Sequence, residues 1–208
     1  MKIILASSSL YRQSILEKLH IPFSCVAPNI DESKGPTESI SEQVQRLAKE
    51  KALTIATQKP YVNSYVIGSD QLASFKGQVL GKPGDFSTAK QQLQMFSGQT
   101  VRFHTGLCLV HSANNQLSQI VETFDVTFKP LTDNQISTYL HIEQPYDCAG
   151  SFKCEGLGIA LFESLDGRDP NTLIGLPLIA LMDLFHSMSV DLFDYMQIDV
   201  DSNNELNM

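Results

Sequence analysis

The sequence predicts an α/β fold: a mixed sheet flanked by helices. Short apolar strand-like runs alternate with helix-period segments over the first half of the chain. Two long strand-like segments then follow one another directly, as the arms of an antiparallel hairpin do. The length, 208 residues, suffices for one sizeable α/β domain or two small lobes sharing a cleft.

Taken in order, residues 2–6 read as a strand and 9–20 as a helix with Ile15, Leu16 and Leu19 on one face. Phe23 to Val26 is a short strand, and Pro28 to Glu32 leaves it as a polar loop. The longest helical pattern spans 38–58, with Ile40, Val44, Leu47, Ala48 and Leu53 inward. Val66 and Ile67 lead a strand into Gly68-Ser69-Asp70-Gln71, and Lys76-Gly77 turns it back to Val79-Leu80. Pro83-Gly84-Asp85 introduces a helix over 86–97, which Gly98 ends. Strands follow at about 100–111 and 119–129, joined by Ser112 to Asn115. Thr132 or Asp133 starts a helix over 132–142. Cys148 to Phe162, punctuated by glycine, reads as strand. A last apolar helix runs from Pro177, a residue suited to a first turn, to Met188. There is no repeat, so a single domain over 1–198 is expected, with 199–208 as a frayed acidic tail.

Fifteen basic against 23 acidic residues give a net charge of −8, which argues against a long nucleic acid as partner. A small anion needs only a local knot of cations and stays open. No apolar run approaches the ~20 residues of a membrane span, and the N-terminus turns polar too soon for a signal peptide. Cys25, Cys108, Cys148 and Cys154 lack metal-ligand spacing; free thiols in a reducing cytoplasm are expected.

The segment richest in chemistry is the first. Ile3-Ile4-Leu5-Ala6 breaks into Ser7-Ser8-Ser9 and reaches Arg12. A buried strand turning into a helix there would aim free amides, hydroxyls and a guanidinium at one point, as phosphate sites do. The alternative is an N-capped helix with a surface arginine. Arg12, Lys51, Lys82, Lys153 and Arg168 are read as cations at loop or element-end positions, with Gly or Pro directly beside Lys82 and Arg168. Asp70 is expected at the C-terminal end of its strand, a frequent active-site position in open α/β sheets, and Asp31-Glu32 form a second acidic pair on a loop. Carboxylates beside a triphosphate hold Mg²⁺ or take a proton from water; the alternative for Asp70 is a turn former. GxxxxGK[ST], GxGxxG opening a helix, HExxH and GxSxG are all absent. The residues by themselves stop at an α/β protein suited to a small phosphorylated ligand.

Together, Leu5 to Ser9 with Arg12, Asp31-Glu32, Ala48 to Ala52, Gly68 to Gln71, Gly81-Lys82-Pro83, Tyr146 to Phe152, Gly167 to Thr172 and Gly175-Leu176-Pro177 resemble the Maf family of nucleoside-triphosphate pyrophosphatases. The resemblance covers roughly residues 3–185. It implies an elongated α/β fold with a cleft between two lobes, Mg²⁺ or Mn²⁺ dependence, frequent homodimers, and hydrolysis of a triphosphate to a monophosphate and pyrophosphate. Carried over by position, Ser7, Arg12, Lys51 and Lys82 would hold the phosphates, Glu32 and Asp70 the metal, and Asp70 would be the general base; Lys153 and Arg168 remain further candidates.

Tyr11, Gln71 and Glu155 resemble the branch acting on 7-methyl-GTP, which would keep modified nucleotides out of nucleic acids. The physics is compatible. N7-methylguanine is cationic and attracts an aromatic face, and its N1–H and N2–H₂ present paired donors that a carboxylate accepts. Leu10 stands where the family commonly has Pro, Tyr11 where the branch often has Trp, and Gly84 where a larger residue is usual. A dTTP/UTP-directed or broad pyrophosphatase, and a nucleotide-binding regulator of cell division, are the alternatives.

Overall fold

The computed structural model describes residues 1–197; the acidic tail expected at 199–208 lies outside them. Among the described residues, seven strands form one sheet, in the order β2-β1-β3-β5-β6-β7 with β4 on β3. Second from one edge is the run that opens the chain. Strand β1, Ile3–Leu5, is fully buried and pairs in parallel with β2, Phe23–Cys25, and β3, Tyr65–Phe75. A parallel strand covered on both faces must be apolar throughout, which is why it carries no alternation. Helix α1, Leu10–Glu17, connects β1 to β2; it ends sooner than its periodicity predicts because His20 takes a left-handed conformation, φ 49°.

Helix α2, Ile40–Ala56, starts at a capping box in which Ser39 and Glu42 satisfy each other's backbone amides. Its buried face is Val44, Leu47, Ala48, Ala52 and Ile55; Leu53 is only half-buried, one position off the predicted stripe. The long hairpin is β5, Thr100–His111, and β6, Gln116–Phe128, antiparallel to each other and to β3. Twelve to thirteen residues at about 3.4 Å each make arms of roughly 40 Å, which run through both ends of the molecule. Strand β4, Gln78–Leu80, returns from β3 through Lys76-Gly77, both at positive φ.

One end of the sheet carries α1 and α6, Leu178–Ser187, on one face and α2 on the other. The other end packs α3, Phe86–Phe96, and α4, Asp133–Glu143, around a phenylalanine-rich core of Phe96, Phe103, Phe128, Phe152 and Phe162. These two cores are the lobes anticipated above.

Two expectations fail. Residues 148–161 form turns and a short 3₁₀ segment, Leu157–Leu161; only Phe162–Asp166, β7, joins the sheet. Gly150 and Ser151 at positive φ bend this segment away from any strand partner. Asp70 also lies mid-strand, because β3 continues to Phe75 along β5. A one-turn helix, α5, Asn171–Ile174, precedes α6 and had no periodic signal to mark it.

Candidate active site

Asp70 sits over a gap in the sheet. On one edge of β3, β1 pairs as far as Ile67 and β4 resumes only at Ala73. Between them Gly68 to Leu72 have β5 on one side and, among the described residues, no strand on the other. The chain leaving β1 turns across this opening, so a mid-strand carboxylate faces a cleft of about 840 Å³.

Two glycines set what stands beside it. A Cβ at Gly68 would lie 2.1 Å from the Ala48 carbonyl oxygen, and one at Gly106 would lie 2.2 Å from that of Val44. Helix α2 therefore rests directly on the backbone of β3 and β5. One turn beyond Ala48, Lys51 reaches Asp70: Nζ donates to Oδ1 at 2.6 Å and pairs with Glu32 Oε1 at 2.7 Å. Lys51 is only 6% exposed and Asp70 7%. Lys51 is thus a mid-helix residue rather than the element-end cation predicted. Burial raises the Asp70 carboxyl above its ordinary value, while Lys51 and Arg12 pull it back down. Its Oδ2 accepts no hydrogen bond among the described residues and is free for solvent.

Arg12 projects from the first turn of α1, whose N-cap Ser9 accepts from the Arg12 amide. Ser7 Oγ accepts from Ser9 N at 3.1 Å, which closes the turn. Arg12 Nε donates to Gly175 O at 2.9 Å, leaving its terminal nitrogens for the cleft. Burial lowers the Arg12 pKa, and the charges of Asp70 and Glu32 oppose that. No acidic residue occupies the first turn of α1, so its dipole is not offset there. Exposed Lys82 lines the cleft from the loop after β4, which the Gly84 amide ties to the Tyr146 carbonyl.

Glu32 is held through its loop. Arg46 donates to Ser33 O and to both Glu38 carboxylate oxygens, and Glu38 accepts from the Gly35 amide. This fixes the loop on α2. Two carboxylate oxygens converge on the Lys51 ammonium, and among the described residues no group of three or more His, Cys, Asp or Glu gathers to hold a metal. A pair of oxygen donors fits Mg²⁺, which is commonly bound by one or two carboxylates with substrate phosphates completing the shell.

A second group, Tyr11, Asp147, Cys148, Phe152 and Glu155, also lines the cleft. Burial raises the Tyr11 phenol, with Cys148, Asp147 and Glu155 acting in the same direction. Gln71 lines the cleft too, but its amide is occupied: Nε2 lies 2.6 Å from Thr172 O and 3.0 Å from Thr105 Oγ1. It ties α5 to the sheet.

Two candidates lie elsewhere. Lys153 turns away to the Glu143 carbonyl, and Arg168 bridges Glu122 and Asp183, clamping β6 to α6. Within Arg168's motif Asp169 and Thr172 are buried, and Asp169 accepts from the amides of Asn171 and Ile179, which flank the Gly175 carbonyl that anchors Arg12. Asp followed by Pro-Asn signals such a turn, though nothing in the spacing pointed to its distant amide at Ile179.

A family model described as Maf-like protein matches residues 2–188. The chain belongs to the Maf family. Among Maf relatives, a 7-methyl-GTP pyrophosphatase of Pseudoalteromonas atlantica is 58% identical over 198 residues, covering 95% of this chain and all of the relative. One of Colwellia psychrerythraea with the same name is 49% identical, covering 91% of this chain and 94% of the relative. The solved Ham1 protein of Staphylococcus aureus aligns over 91% of this chain and all of its own, at 12% identity and a TM-score of 0.48, a likeness too slight to bear on the site. Among the described residues no helix is long and apolar enough to cross a membrane.

Proposed function

We propose that this chain hydrolyses 7-methyl-GTP to 7-methyl-GMP and pyrophosphate, removing a modified nucleotide before it can enter nucleic acid. The relatives' names support the substrate. The observation that carries the reading is one cleft lined by two groups: Arg12 and Lys51 gather with Asp70 and Glu32 as its phosphate end, Tyr11 stands with Asp147 and Glu155 as its base end, and Lys82 lines it as well.

Ser7, the first turn of α1, Arg12 and Lys82 bind the triphosphate. Asp70 and Glu32 would hold a divalent cation, Mg²⁺ or Mn²⁺, which when bound supplies Lewis-acid neutralisation of phosphate charge. Asp70 Oδ2 accepts a proton from water as the water oxygen bonds to the α-phosphorus. The bond from that phosphorus to the bridging oxygen breaks, and the charge growing on the departing pyrophosphate is met by Arg12 and Lys82. Lys51 keeps Asp70 oriented. Tyr11 stacks on the base and Glu155 accepts from its N1–H and N2–H₂, which a pyrimidine would leave unpaired. The four free cysteines support a reducing cytoplasm as the working compartment.

The test is pyrophosphate release from 7-methyl-GTP, GTP, dTTP and UTP with Mg²⁺ or Mn²⁺. The expected result is the highest kcat/KM on 7-methyl-GTP; faster turnover of dTTP or UTP would overturn the substrate assignment.

A further inference from the structure

Resting on that reading, Glu155 solves only half of the recognition problem. The N1–H and N2–H₂ edge it accepts is the same in GTP and in 7-methyl-GTP. What the methyl group changes is charge: the base becomes a cation. Tyr11 senses that charge through its π face, and an unpaired carboxylate beside the base would sense it further.

The cleft wall contains one. Asp147 lines the cleft with Tyr11 and Glu155, and its carboxylate has no ion-pair partner among the described residues. Its one side-chain contact is a long one: Cys148 Sγ donates to Oδ1 at 3.5 Å. The thiol, pushed up to about 12 by burial and by Asp147, stays neutral and offers Asp147 no counter-charge. Asp147 also lies close enough to Tyr11 to help raise its phenol. Its charge therefore lies within reach of the ring proposed to stack on the base. Of the cleft's cations, Arg12 and Lys51 are already engaged with Gly175 or with Asp70 and Glu32, and Lys82, on the loop that Gly84 ties to Tyr146, makes no ion pair with Asp147.

We propose that Asp147 is a specificity-determining residue that reads the positive charge of the 7-methylated base, separating 7-methyl-GTP from GTP. Tyr11 and Asp147 then form a cation-selective mouth, whereas Glu155 selects guanine over pyrimidine. Because Asp147 is solvent-exposed, its effect is modest and screened by salt.

The experiment compares kcat/KM for 7-methyl-GTP and GTP in the wild type, Asp147→Asn and Asp147→Glu, at low and high NaCl. The expected result is a wild-type preference for 7-methyl-GTP that shrinks with salt. In Asp147→Asn the preference falls about three- to fivefold, chiefly through KM, and loses most of its salt dependence; Asp147→Glu retains it. An unchanged ratio in Asp147→Asn, or equal losses on both nucleotides, overturns the assignment of Asp147. A wild type with no preference for 7-methyl-GTP overturns the substrate reading itself, a result separable from the other two.

Discussion

The two ends of the cleft are made of different materials. At the phosphate end Lys51 and Asp70 are 6% and 7% exposed, carried on a helix and a strand pressed together at Gly68 and Gly106. At the base end Tyr11, Asp147 and Glu155 are exposed, and the two acids ride on the turns of 147–155. Chemistry at phosphorus demands an orientation that only packed elements enforce. Choosing a base requires a few contacts, which loops supply and which can change without disturbing the fold. Changes at the phosphate end should therefore be large and alike for all nucleotides; changes at the base end should be smaller and differ between them.

The largest expected effect is at Asp70. Asp70→Asn keeps the shape but cannot accept the proton, and kcat should fall on the order of 10²-fold or more. Near-normal turnover in a pyrophosphate-release assay would move the base elsewhere. Gly68→Ala tests whether packing sets the geometry. Its Cβ would meet the Ala48 carbonyl at 2.1 Å, so α2 must shift and carry Lys51 with it. A loss of about 1–3 kcal/mol in denaturant titration, with lower kcat on every nucleotide, is expected; wild-type stability and turnover would break the link between helix contact and site.

Glu155→Gln puts an amide donor against base donors, and should cost guanine nucleotides about tenfold in kcat/KM while sparing UTP. Equal losses on all bases would make Glu155 structural. The smallest effect concerns the loop that delivers Glu32. Hydrogen bonds from Arg46 and the Gly35 amide hold Glu38 down at about 2. A carboxyl depressed on folding stabilises above its unfolded value and loses that contribution as pH falls through its folded one. Thermal melts should thus show Glu38→Gln less stable than wild type at neutral pH, with the gap closing between about pH 4.5 and 2. A gap independent of pH would mean the charge is not what holds the loop.

Most of the fold was legible because its signals are local. β1, the Lys76-Gly77 hairpin, the long β5–β6 pair and the capped helices α2 and α4 lie where periodicity and turn residues put them. The misreadings arise where distant partners decide. Asp70 looked like a strand end because Gly68-Ser69 breaks the apolar run, yet those small residues are where α2 and the Gly175 carbonyl approach. Residues 148–161 looked like strand from composition, but a strand needs a partner, and backbone at positive φ denies it one. At the site, Arg12, Lys51 and Asp70 could be picked out individually, whereas their convergence depended on a helix–sheet contact. Lys153 and Arg168 resembled cleft cations because glycine and proline neighbours mark loops, not the direction in which a side chain points. Asp147 carries no signal of its own within the Tyr146 to Phe152 motif; that it has no ion-pair partner among the described residues is visible only in three dimensions.

The division of labour along the cleft is tested most directly by kcat/KM for 7-methyl-GTP and UTP measured side by side in wild type, Asp70→Asn and Glu155→Gln. The account predicts that Asp70→Asn lowers both values by the same large factor and leaves their ratio intact. Glu155→Gln should instead collapse the ratio, with little change on UTP. A ratio altered by Asp70→Asn, or preserved in Glu155→Gln, would contradict it.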